Sequence, residues 1–146
     1  MLLVRLILDL YFTHEISMNE LRDNTDVSFR IIDTDNESNY VSIEHPSEIG
    51  VEYKLDYYNQ WYVGFISRNY ESLRNIGLES ANIFINVFFS GQCNFEIFDS
   101  TSLAELSKYA ISLPVSVFNL PDDELKDILK ENGYSEDRIT KIFSHE

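Results

Sequence analysis

Leu3-Val-Arg-Leu-Ile-Leu-Asp-Leu-Tyr-Phe12 is the stretch that decides the fold. Val4, Leu6, Leu8, Leu10 and Phe12 fall on one side of it; Arg5, Ile7, Asp9 and Tyr11 fall on the other. A period of two with one wholly apolar side reads as a β-strand buried on that face. The run does not read as a signal sequence, because Arg5 and Asp9 interrupt it and no small-residue cleavage site follows. It is also too short to cross a bilayer. Cys93 is the one cysteine, so no internal disulfide can form. These features set the expectation of a soluble, reduced, cytoplasmic protein that meets no membrane.

Downstream, Ser17-Met-Asn-Glu20 has the Ser-x-x-Glu capping pattern and opens a short helix to about Asn24. Val27–Asp33 and Tyr40–Glu44 read as strands across a polar turn. Val51–Tyr58 alternates again, with Trp61–Ser67 as its expected hairpin partner across Asn59-Gln60. A short helix over Tyr70–Ile76 is expected to stop at Gly77. Ala81–Phe89 reads as a strand that Ser90-Gly-Gln92 turns into a second one at Asn94–Phe98. Asp99 or Ser100 caps a helix of about Thr101–Ala110. A strand at Leu113–Phe118 follows, and its Pro114 suits a strand start or a sheet edge. Pro121 opens a helix whose first turn, Asp122-Asp-Glu124, complements the helix dipole. That helix ends at Gly133, and Ser135 starts a last one.

Strands outnumber helices and mostly follow one another as hairpins. The expected fold is α+β: a mainly antiparallel sheet, helices on one face, and a C-terminal helical hairpin. A chain of 146 residues fits a single domain, with 121–146 as an appended helical segment.

Charge bears most on function. The chain holds 25 Asp and Glu against 11 Lys and Arg, a net charge of -14, yet 44% of it is hydrophobic and 14% aromatic. Acidic disordered tails lack such aromatics. A folded domain with this field is suited to fast capture of a basic partner, whereas the phosphates of nucleic acid would be repelled. Residues 1–56 carry a net -8, residues 57–120 a net -2 and residues 121–146 a net -4. The early acids Asp33, Asp35, Glu37, Glu44, Glu48, Glu52 and Asp56 lead into Tyr57-Tyr-Asn-Gln-Trp-Tyr62. Two readings stand. The aromatics pack in a core beside solvent-facing acids, or aromatics and acids together form a protein-binding surface.

Signs of catalysis are weak. His14, His45 and His145 lie in no metal-spaced motif, Cys93 has no nucleophile signature, and no glycine-rich phosphate loop occurs. No cofactor or metal is expected. Asp33, Asp35, Glu37 and Glu44 partly imitate a calcium loop. However, Ser38 stands where that loop needs glycine, and the flanks read as strands. A solvated hairpin tip explains them more simply. A carboxylate pair such as Glu52 and Asp56 would suit acid–base chemistry, but such pairs arise freely in so acidic a chain.

Four segments carry a resemblance: Ser72-Leu-Arg-Asn-Ile-Gly-Leu78, the strand Ile83–Phe89, Asn94–Ala110 and Leu113–Phe118. Together with the opening strand and short helix, they resemble a bacterial family of small α+β domains. Members of that family occur among immunity proteins of polymorphic toxin systems, including contact-dependent growth inhibition. The resemblance covers a third to a half of the chain, its motifs are packing patterns, and Trp61 corresponds to a Trp the family carries near mid-sheet. The tail after Pro121 lies outside it. The resemblance implies a non-enzymatic protein that neutralises a cognate toxin domain, typically a basic nuclease acting on tRNA or DNA. It carries over no catalytic residue.

Charge and resemblance together nominate Asp33, Asp35, Glu37, Glu52 and Asp56 as charge partners of the toxin, with Tyr58 and Trp61 as anchors. The alternatives are an acidic interaction module with another partner, or one that self-associates through an exposed strand, and a carboxylate-dependent hydrolase.

Overall fold

A computed structural model describes residues 1–35 and 39–144. Its centre is strand β1 (Leu2–Phe12), the stretch that alternates in the sequence. Helix α1 (Met18–Asp23) follows, its Ser17 hydroxyl accepting the Glu20 N–H at 3.1 Å as the capping pattern requires. Next come β2 (Arg30–Asp35), β3 (Tyr40–Glu44), the two-residue β4 (Gly50–Val51) and a 3₁₀ turn over Glu52–Lys54. The long helix α2 (Leu55–Asn75) leads to β5 (Leu78–Phe89), α3 (Ser100–Leu106), β6 (Ile111–Ser112), β7 (Val115–Asn119), α4 (Asp122–Glu131) and α5 (Glu136–Phe143).

The seven strands among the described residues form one mixed, mostly antiparallel sheet in an α+β fold. Its order is β2-β3-β1-β5-β6, with β4 also on β1 and β7 also on β5. β1 runs antiparallel to β3, β4 and β5. β6 and β7 run parallel to β5. Leu2, Val4, Leu6, Leu8, Leu10 and Phe12 point into the main core, where α2 and α3 cover that face. Leu3 points the opposite way. It packs with Ile49, Val51 and the tail residues Leu125, Leu129, Ile139 and Ile142, so the C-terminal helix pair closes the other face at its Leu3 end.

Two expectations are corrected. Val51–Tyr58 and Trp61–Ser67 do not form a hairpin: the first runs from the end of β4 through the 3₁₀ turn into α2, and the second lies wholly in α2, which also absorbs most of the helix expected at Tyr70–Ile76. Leu55, Tyr58, Asn59, Tyr62, Val63, Phe65, Ile66, Asn69, Tyr70 and Leu73 are its buried residues. Their three- and four-residue spacing is one helical face, and burial of that face overrides the β-propensity of the aromatics. Asn94–Phe98 is not a strand either. It passes the first turns of α2, where Ile97 O accepts the Asn59 side-chain amide at 2.6 Å, and Phe98 enters the core.

Candidate protein-binding surface

The start of α2 places side chains in two directions. Leu55 and Tyr58 turn inward, and the 100° step per residue turns Tyr57 out. Tyr57 is 74% exposed, Tyr53 in the preceding 3₁₀ turn 50%, and Phe95 in the adjacent loop 40%. These aromatics line an open depression of about 470 Å³ with Glu52, Asp56 and Glu96. Among the described residues none of these three carboxylates is in an ion pair. Lys54 is the cation of the lining, its ammonium 5.9 Å from the Tyr53 ring centre. Large exposed aromatics beside unpaired carboxylates form a surface that can hold a Lys- or Arg-bearing protein.

Glu52 and Asp56 thus lie together. Asp33 and Asp35 lie elsewhere. In β2 they stand opposite Ser42 and Tyr40, on the sheet face that carries Asp9. Asp33 borders a shallow basin there with Ile7, Asp9, Ile32, Tyr40 and Phe84. Asp9 is buried in its floor and accepts from Tyr40 at 3.2 Å, from Asn82 at 3.1 Å and from the Ser42 hydroxyl. Val51 pairs with Leu3, whereas Asp35 pairs with Tyr40 beside Tyr11. The two acidic sets are therefore about 27 Å apart along β1, at roughly 3.4 Å per residue. Glu37 lies outside the described residues, as do its neighbours Asn36 and Ser38 in the expected hairpin tip and His145.

Tyr58 is too buried to serve as a surface anchor, and Trp61 offers only part of its ring to the surface. Tyr58 is 2% exposed, and its hydroxyl is committed to the backbone of Leu6. Trp61 is half-buried, 4.8 Å from the Tyr62 ring and 5.4 Å from those of Phe65 and His45. The anchors available are Tyr53, Tyr57 and Phe95, which sequence reading passed over. A helical reading from Leu55 would have found Tyr57, since it lies off the Leu55–Tyr58–Tyr62 face.

His45 is buried, His14 is exposed and Cys93 is a half-buried free thiol. Among the described residues, no group of three or more His, Cys, Asp or Glu side chains is placed to hold a metal ion. No helix among them is long and apolar enough to cross a membrane. No protein-family model, curated protein or solved structure was found to match the chain.

Proposed function

We propose that this protein is an immunity protein. It binds a cognate basic toxin domain in the cytoplasm, a nuclease acting on tRNA or DNA, and covers its active or substrate-binding surface. The observation that carries this reading is the cluster of exposed Tyr53, Tyr57 and Phe95 around the unpaired Glu52, Asp56 and Glu96. Tyrosines supply contact area at low entropic cost, and desolvated carboxylates pair with Lys or Arg of the partner. The net charge of -14 adds long-range attraction, which brings association to about 10⁸–10⁹ M⁻¹s⁻¹ at low salt. Speed serves an inhibitor whose target is itself a catalyst. The second acidic set, Asp33 and Asp35, contributes to steering from the far end of the sheet. Inhibition of this kind needs no bond-making by the inhibitor.

On this reading the neighbouring reading frame encodes the toxin domain, and the test is a titration against that domain. A one-to-one complex of about nanomolar affinity is expected, weakening as salt rises. Absence of a complex, or turnover of a substrate by this chain alone, overturns the reading.

A further inference from the structure

β7 is an edge strand with an unusual composition for this chain. Val115-Ser-Val-Phe-Asn119 carries no charge, and no charged residue occurs between Lys108 and Asp122. Val115 is 55% exposed, Val117 52% and Phe118 43%. The inner side of β7 is bonded to β5. Pro114 O accepts the Ile85 N–H at 2.8 Å, and the Leu120 N–H donates to Phe89 O at 2.8 Å. In a parallel ladder the bonding residues alternate, so Ser116 and Phe118 face β5. Val115, Val117 and Asn119 then turn their N–H and C=O groups away from the sheet. The opposite edge is protected: β2 carries Arg30, Asp33 and Asp35 and breaks register between Ile31 and Asp33. β7 has neither device.

We propose that β7 pairs with β7 of a second copy of this chain, antiparallel about a two-fold axis at Val117. The pattern is self-complementary. Val117 of each copy exchanges both backbone bonds with Val117 of the other, and Val115 of each does the same with Asn119 of the other. Val115 and Val117 share one sheet face, so their side chains come together across the join. A second copy is favoured over a strand of a basic partner by charge. A basic segment is drawn to carboxylates, and β7 offers none, whereas two copies meet along neutral edges. The remaining charges repel mainly through solvent, where salt screens them beyond about 8 Å. Dimerisation therefore strengthens as salt rises, opposite in sign to toxin capture, so failure of one proposal leaves the other standing. A five-residue seam lies below the usual area of a stable interface, so the dissociation constant is roughly 10–100 μM.

Sedimentation velocity on the whole chain up to about 1 mM is the test, at low and high salt. Val117→Lys and Val117→Glu each place like charges against each other at the axis, at an exposed position that tolerates them. Each variant alone is expected to remain monomeric where the parent dimerises, and an equimolar mixture of the two is expected to restore the dimer. A parent chain that stays monomeric throughout overturns the proposal. So does a Val117→Lys variant that dimerises like the parent, or a mixture that fails to associate although both variants melt as the parent does.

Discussion

The hydroxyl of Tyr58 accepts the backbone N–H of Leu6 at 2.9 Å, across 52 residues of sequence. Leu6 sits where β1 has no neighbour on one side, since β4 pairs only as far as Val4 and β3 begins at Leu8. Tyr62 completes the repair, donating to Leu6 O at 2.5 Å and accepting the His45 N–H at 3.0 Å. The two hydroxyls are 3.3 Å apart, and burial pushes both well above the ordinary tyrosine range. α2 thus supplies the hydrogen bonds that a missing strand would have made.

Removal of either hydroxyl leaves buried backbone groups unpaired, at about 1–3 kcal/mol each. Tyr62→Phe is expected to cost more than Tyr58→Phe, because it orphans both Leu6 C=O and His45 N–H. Urea denaturation of the two variants checks the order. Losses below about 0.5 kcal/mol for both would show that the gap needs no repair.

Tyr134 plays the same part for the tail. Its hydroxyl accepts the Ile49 N–H at 3.1 Å and lies 3.2 Å from Ile49 O, to which it donates. Tyr134→Phe is expected to destabilise by about 1–3 kcal/mol. It should also speed hydrogen exchange over residues 122–143 before the rest of the chain. Uniform acceleration throughout would mean that the tail opens only with the whole domain.

His45 makes stability depend on pH. Its Nδ1 accepts the N–H groups of Ser47 at 3.2 Å and Glu48 at 3.0 Å, which requires the neutral ring. Burial lowers its pKa first; Arg30 lowers it further, and Glu48 and Glu44 oppose the shift. The unfolded chain takes up this proton near pH 6.5, and the folded chain resists it. Stability from this source is therefore complete above about pH 6.5 and falls as pH drops below it, until folded His45 also titrates. The parent should lose stability relative to His45→Asn between about pH 7 and pH 5. A constant difference between the two would place the titration elsewhere.

Steering and anchoring at the proposed interface separate in kinetics. Glu52→Lys with Asp56→Lys should lower the association rate and flatten its salt dependence. Tyr57→Ala should act on dissociation, weakening the complex by about thirtyfold for a loss near 2 kcal/mol. Stopped-flow mixing with the toxin domain reads both constants. A Tyr57→Ala variant that dissociates like the parent would remove Tyr57 from the contact.

How far the sequence speaks is clearest at α2. β1, β3 and β5 show their period directly, and Ser17, Asp99 and Ser135 cap the helices that follow them. Tyr53, Leu55 and Tyr57 also alternate, and over so short a span that imitates a strand. What makes the region a helix is tertiary: Tyr58 and Tyr62 must reach the backbone of Leu6. The candidate surface was half legible for the same reason. Glu52 and Asp56 stand out by charge alone, but the choice between Tyr57 and Tyr58 depends on which one the helix turns inward. The separation of Asp33 and Asp35 from Glu52 follows from pairing along β1, which no local pattern reports.

The most direct measurement is survival of cells that make the proposed cognate toxin domain together with this chain. The parent is expected to restore growth, and a variant carrying Glu52→Lys, Asp56→Lys and Tyr57→Ala, with its melting temperature preserved, is expected to leave the cells dying. Cells that die despite the parent, or that grow equally well with the variant, would contradict the assignment of an acidic inhibitor acting through the start of α2.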